Sequence, residues 1–214
     1  MYASPLSVES IVEAAVDVIE ADGLSSLTMR RLAKRLQCSP MALYRHVADK
    51  QELIGAIADH YLADLELPDT AGLSWQETII SVATAVHRAF LAHPPLEEVL
   101  AVRHVDTAVV FRADELVLDA LITAGLEGRE AVHALDVIAS YAVGSTLRLA
   151  AARAGSSGQG KRLERIRELP AEDFPRMREL AGELVTVDFT LTFEDGLQLL
   201  IDGIEARARQ RHNA

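Results

Sequence analysis

Residues 28–50 hold six basic side chains, Arg30, Arg31, Lys34, Arg35, Arg45 and Lys50, against one acid, Asp49. That is a net +5 in a chain of 214 residues whose formal charge is −11, so everything outside the window carries −16. Polyanion binding is driven by neutralising phosphates, and an acidic body with one basic surface is the layout of a protein that touches nucleic acid at one place only. A charge cluster is also the layout of a solvated helix face, so charge alone leaves both readings open. No other set of residues matches a known chemistry. There is no phosphate loop, zinc-protease motif or nucleophile elbow, and the Gly-Ser run beginning at Gly155 lacks the strand-to-helix context of a phosphate site. Cys38 has no partnering base near it in sequence and reads as a small turn residue. His87, His93 and His104 lack metal-ligand spacing. No catalytic residue, metal or cofactor is expected.

The elements that must carry the basic window are helices, because apolar residues recur at three- and four-residue spacing and no stretch sustains strand alternation. A first helix follows Ser7, with Val8, Ile11, Val12, Ala15, Val16 and Ile19 as its stripe, and stops near Gly23. Thr28 caps a second helix, with Leu27 and Leu32 spaced as a hydrophobic staple and Leu32, Ala33 and Leu36 inward. Gln37 and Cys38 make a short connection. Ser39 is the next cap and Pro40 the next first position, where a missing N–H costs nothing. The helix that follows, of about eight residues, turns Leu43 and Val47 inward and leaves Met41, Ala42, Arg45 and His46 open to a partner. Asp49, with Glu52 three residues on, caps a fourth helix with Leu53, Ile54, Ile57, Tyr61 and Leu65 on its apolar face. Two helices joined by about three residues, the second displaying polar groups amid positive charge, make a helix-turn-helix whose second helix fits a major groove.

Residues 67–72, with Pro68, Asp69 and Gly72, form the clear break, which places one domain at 1–67 and another at 68–214. Beyond it helices are expected at 74–92, 95–102, 107–124, 130–153 and 192–209, with a mobile loop at 154–174. The fold class is all-α: an N-terminal three-helix helix-turn-helix domain plus a larger helical domain. Half the residues are hydrophobic and a quarter charged, as in an ordinary globular protein, and the most apolar stretch, 131–152, is interrupted by His133, Asp136 and Arg148. With one cysteine and no export signal, a cytoplasmic protein is expected.

The run Thr28-Met-Arg-Arg-Leu-Ala-Lys-Arg-Leu, then Ser39-Pro-Met-Ala-Leu-Tyr-Arg-His-Val, then Lys50-Gln-Glu-Leu resembles the signature of the TetR family of transcriptional regulators. Leu73-Ser-Trp-Gln-Glu, the His93-Pro pair and Phe193-Glu-Asp-Gly-Leu-Gln-Leu-Leu resemble its tetracycline-repressor branch. The resemblance implies that Tyr44 contacts phosphate, that Lys50 joins it there at a helix start, and that Thr28 and Ser39 add phosphate contacts to their capping. Base reading then falls to Arg30, Met41, Ala42, Arg45 and His46, with Pro40 beside them. Arg45 is suited to grip guanine with both arms, whereas His46 is equally suited to phosphate.

The same resemblance implies a homodimer through helices 130–153 and 192–209, where Leu135, Ile138, Ala142, Val143, Thr146 and Leu149 line the one and Leu197, Leu200, Ile201 and Ile204 the other; these faces equally suit closing the monomer's own core, and some of them must do so. It also implies an effector-binding second domain. Its candidate lining is Trp75, Val82, Val86, Phe90, Leu100, Arg103, His104, Phe111, Tyr141 and Ser145, mostly apolar with a few polar handles. Leu100 stands where the tetracycline-repressor branch places a histidine, so tetracycline–magnesium recognition is not expected. The function implied is a ligand-responsive repressor of a palindromic operator. The other readings are a helical module that uses the hairpin for a protein partner, and an enzyme without a recognisable motif.

Overall fold

The computed structural model describes residues 6–63, 65–96, 99, 107–155 and 158–212, without the side chains of 150–155 and 212. Every regular element among these residues is helical. The first, α1 (Val8–Asp22), opens on a reciprocal cap: Ser7 Oγ accepts from the Ser10 N–H at 3.2 Å and Ser10 Oγ from the Ser7 N–H at 3.0 Å. Then come α2 (Met29–Arg35), α3 (Pro40–Leu43) and α4 (Lys50–Leu62). Thr28 caps α2 by accepting from the Arg31 N–H at 3.1 Å, and Leu27 and Leu32 meet in one buried cluster as the staple requires. At α4 Asp49 accepts from the Glu52 N–H at 2.8 Å, but Glu52 reaches back to the N–H of Ala48 rather than that of Asp49.

The turn between α2 and α3 is a Schellman motif. The Cys38 N–H bonds the Ala33 carbonyl at 2.9 Å, the Gln37 N–H bonds that of Lys34 at 3.3 Å, and Gln37 takes the left-handed conformation with φ 52°. Cys38 and Ala33 thus sit where the motif wants two small apolar groups. The helix after it differs from expectation. Regular α-helix covers only Pro40–Leu43, and the chain continues in tighter turns, Arg45 bonding Ala42 and His46 bonding Leu43 three residues back at 3.3 and 2.9 Å, before the Val47 N–H closes on the Leu43 carbonyl four residues back at 3.1 Å. Leu43 and Val47 are nevertheless both buried, so the inward face is as expected.

After a loop come α5 (Trp75–Ala92), α6 (Ala108–Thr123), α7 (Arg129–Gly155), α8 (Gln159–Arg167), α9 (Pro175–Glu179), α10 (Ala181–Val185) and α11 (Phe189–His212). The α6–α7 corner repeats the Schellman geometry, with Gly125 at φ 100° and Leu126 and Leu121 buried. Two expectations are corrected. Residues 154–174 are not one loop, because α8 occupies their middle: its glycines stay at the entry, while a run of good helix formers follows and buries Ile166. The last helix begins at Phe189 and ends at His212, three residues beyond the expectation at each end; the Asp188 carboxylate accepts from the Thr190 N–H at 2.9 Å and stops its entry. The helix expected at 95–102 lies largely outside the described residues.

Two cores result. One joins α1 to α4 and also takes in Phe90, Leu96 and Val99 from beyond the loop; the other joins α5, α6, α7 and α11, and Val86 packs against both. The stripe assigned to a dimer belongs mostly to the subunit's own interior. Ile138, Ala142, Thr146, Leu149, Leu197, Ile201 and Ile204 are buried, and Leu135, Val143 and Leu200 half-buried, because α7 packs against α11 and α5 within one chain. The apolar residues left outward on these helices include Val137, Leu147, Leu191 and Leu199. Among the described residues no helix is long and apolar enough to cross a membrane.

Gln37 occupies a backbone region that costs a side-chain-bearing residue about 1 kcal/mol. Gln37→Gly should therefore raise the urea midpoint with an unchanged m-value; a lowered midpoint would mean the glutamine side chain makes a compensating contact.

Candidate nucleic-acid interface and cleft

The outward side of residues 39–47 is built by anchoring its inner side. Leu43 and Val47 hold the segment to the first core, and Ser39 accepts from the Ala42 N–H at 3.2 Å to start it. Met41 is 70% exposed and Tyr44 45% exposed, and Pro40, Arg45 and His46 stand in solvent beside a half-buried Ala42. Met41 and Tyr44 together leave an apolar and aromatic surface open on an anchored segment. Thr28 and Arg30 are exposed at the start of α2, and Lys50 is half-buried as the first residue of α4. The ten candidates therefore fall at three helix starts and on one short outward face.

The basic window is narrower than its sequence suggests. Arg31 pairs with Asp22, and Arg35 pairs with Asp17 at 2.5 Å, both acids lying on α1. Exposed ion pairs of this kind contribute little stability, but they hold two guanidiniums against α1. Among the described residues Arg30, Lys34, Arg45 and Lys50 have no ion-pair partner. These four, and not six, are the charge free to meet a polyanion.

The candidate lining of the second domain divides three ways. Val82, Val86, Phe90 and Phe111 line an open cleft of about 580 Å³ between α5, α6 and α7. Tyr141 and Ser145 line a separate cavity of about 180 Å³ between α7 and α11, bounded by Arg148, Phe189 and Phe193. There the Tyr141 hydroxyl donates to the Thr192 carbonyl at 2.7 Å and crosses α11 at Gly196, where any Cβ would stand 1.9 Å from it. Trp75 lines neither space and packs at the edge of the second core. Leu100, Arg103 and His104 lie outside the described residues.

Most of the larger cleft's lining was not among the candidates: besides small and aliphatic residues of α5, α6 and α7 it includes Leu62, the last residue of α4, Leu65 just beyond it, Asp114 on α6 and Asp136 on α7. Asp114 carried a signal, since it is one helical turn from Val110 and three residues before the buried Val117. Burial pushes its carboxyl above the ordinary aspartate range. Leu62 and Leu65 had none, because an apolar residue at the end of a helix looks the same whether it faces a core or a cleft.

Residues 11–57 match the family model described as bacterial regulatory proteins of the tetR family, and residues 67–208 match the tetracyclin repressor-like C-terminal domain. The chain belongs to the TetR family. It is a DNA-binding transcriptional regulator with a helix-turn-helix and a ligand-binding C-terminal domain, and not an enzyme. An HTH-type transcriptional repressor, DrrR1 of Streptomyces coeruleorubidus, is 31% identical over 96% of this chain and 80% of its own. ActR of Streptomyces coelicolor, solved in complex with actinorhodin, superposes with a TM-score of 0.84 at 29% identity, covering 96% of this chain and 99% of that one. BioQ, solved with its double-stranded DNA operator, gives a TM-score of 0.66 at 30% identity over 94% of this chain and 99% of that one.

Between cleft and small cavity, this TetR-family chain buries His87. Its Nδ1 lies 3.1 Å from the Ala142 carbonyl and 3.0 Å from Ser145 Oγ, and its ring stacks on Phe193 at 3.8 Å. The Ala142 carbonyl calls for a proton on Nδ1 of the neutral ring, and burial holds the pKa below the ordinary histidine value. The unfolded chain protonates near pH 6.5 while the folded one resists, so this stability is complete above that pH and is lost as pH falls. Denaturant midpoints should decline from pH 7 to 5 in the wild type and decline less in His87→Gln; parallel declines would remove His87 as the cause.

Proposed function

We propose that this regulator binds a palindromic operator as a homodimer and releases it when a small molecule occupies the 580 Å³ cleft. Residues 1–67 form the DNA-binding unit and residues 68–214 the effector-binding and dimerisation unit. The observation that carries the reading is the outward face of residues 39–47, anchored by Leu43 and Val47 yet leaving Met41, Tyr44, Arg45 and His46 without a covering surface. Arg45 with Met41 and Ala42 reads base edges in the major groove, with Arg30 and His46 flanking. Tyr44 and Lys50 grip phosphates, joined by the exposed caps Thr28 and Ser39. A twofold dimer sets the half-sites about 34–36 Å apart.

The dimer is built from α7 and α11, but through their outward residues. Leu199 is 72% exposed, and with Leu191 it lies along one side of α11; Gly203 there leaves open space for close approach. Effector and operator are coupled through α4. Leu62, the last residue of α4, and Leu65 just beyond it line the cleft, while Leu53, Ile54 and Ile57 of α4 pack in the core that seats α3. A ligand that moves Leu62 and Leu65 therefore moves the recognition face. Coupling of this kind is about 1–3 kcal/mol and reciprocal, so operator weakens effector binding by the same factor.

The experiment is duplex selection from the native genome followed by affinity against salt. Affinity falling steeply with salt is expected, and no binding to any duplex at low salt would overturn the reading in favour of a protein partner for the hairpin. In the same assay Arg45→Ala should relax preference at one operator position by about 1–3 kcal/mol, whereas Lys50→Ala should weaken all sequences alike; the opposite pattern would reverse the two roles. Leu199→Arg should yield a folded monomer by analytical ultracentrifugation, and an intact dimer would exclude that face.

A further inference from the structure

The ionisable groups along the larger cleft are all of one sign. Asp114 projects from α6 and Asp136 from α7 into a lining otherwise made of aliphatic and aromatic side chains and Ser140; among the described residues no lysine, arginine or histidine lines it. Asp114 is half-buried and has neither an ion pair nor a hydrogen bond among those residues. A carboxylate held partly out of water beside Val110, Ala113 and Val117 has lost hydration and gained nothing in return. Burial raises its pKa for that reason, and a bound cation would reverse the penalty. Phe90 and Phe111 add aromatic faces, which attract cations by their ring quadrupoles, and the chain's net charge of −11 repels anions. The volume, about 580 Å³, suits a molecule of several fused or linked rings.

We propose that the effector is a lipophilic organic cation, its ring system lying between Phe90 and Phe111 and its protonated amine held by Asp114, with Asp136 drawing it in. This inference rests on the reading of the cleft as the effector site. An anionic or uncharged polycyclic ligand of the same size would leave the Asp114 carboxylate desolvated and unpaired, and binds more weakly for that reason.

Two xanthene dyes of similar size and opposite charge, rhodamine 6G as cation and fluorescein as anion, separate the possibilities when titrated against the full-length protein by fluorescence anisotropy. Rhodamine 6G should bind at least tenfold more tightly than fluorescein. Asp114→Asn should reduce rhodamine 6G affinity tenfold or more, and Glu172→Gln, the same charge change on an exposed turn, should leave it unchanged. Equal binding of the two dyes, no measurable binding of rhodamine 6G, or an equal loss in both variants would overturn the inference. The dye comparison on the wild type stands even if Asp114→Asn fails to fold. Labelled operator, added next, distinguishes the two levels. Rhodamine 6G that binds through Asp114 without weakening operator would overturn the effector role but keep the cation site; operator release by fluorescein but not by rhodamine 6G would keep the role and overturn the cation.

Discussion

A helix of four residues has no stability of its own, since nucleation costs more than its few hydrogen bonds return. That α3 exists at all depends on the burial of Leu43 and Val47 in the core formed by α1, α2 and α4. Two completely buried aliphatic side chains contribute about 3–6 kcal/mol by transfer out of water. The capping by Ser39 and the preset backbone of Pro40 reduce what they must offset. Because the anchoring lies entirely on the inner side, the outer side is free to be chosen for a partner. Met41 and Tyr44 remain in water at no benefit to folding.

The same core spans both halves of the chain. It is not sealed at the loop between α4 and α5, since Phe90, Leu96 and Val99 enter it from the second half. Tyr61 shows the closeness of that junction. Its ring lies 5.3 Å from that of His93, its hydroxyl is buried without a hydrogen-bond partner among the described residues, and burial pushes its pKa to about 12. An unsatisfied hydroxyl at a joint makes one packing arrangement less strongly preferred over another, because about 1–3 kcal/mol is forfeited there.

Charge is distributed to match. Asp17 and Asp22 on α1 engage two of the six arginines and lysines in the basic window, which confines the free positive charge to Arg30, Lys34, Arg45 and Lys50 near the outward face. The remainder of the chain is acidic, and the acids Asp114 and Asp136 along the cleft continue the same sign.

The residues alone determined what depends on near neighbours: the all-α class, the caps at Ser7, Thr28, Ser39 and Asp49, the small pair Ala33 and Cys38 at the tight turn, and the inward pair Leu43 and Val47. Caps and helical faces involve residues within four positions of one another, so they are written in consecutive sequence. Tertiary structure decided whatever depends on which helix lies against which. Ile138, Ala142 and Leu197 form a stripe that suits a dimer or a core equally well, and only the packing of α7 on α11 assigned it to the core. Val86 lines the larger cleft and Tyr141 the smaller cavity, although both are apolar-faced helical residues, because the space a residue faces is set by which helices flank it. Asp17 and Asp22 lie far from Arg35 and Arg31 along the chain and reached them only when α1 crossed α2. An amphipathic pattern states that a face will be covered; the covering partner is fixed by helix–helix geometry, which no single segment contains.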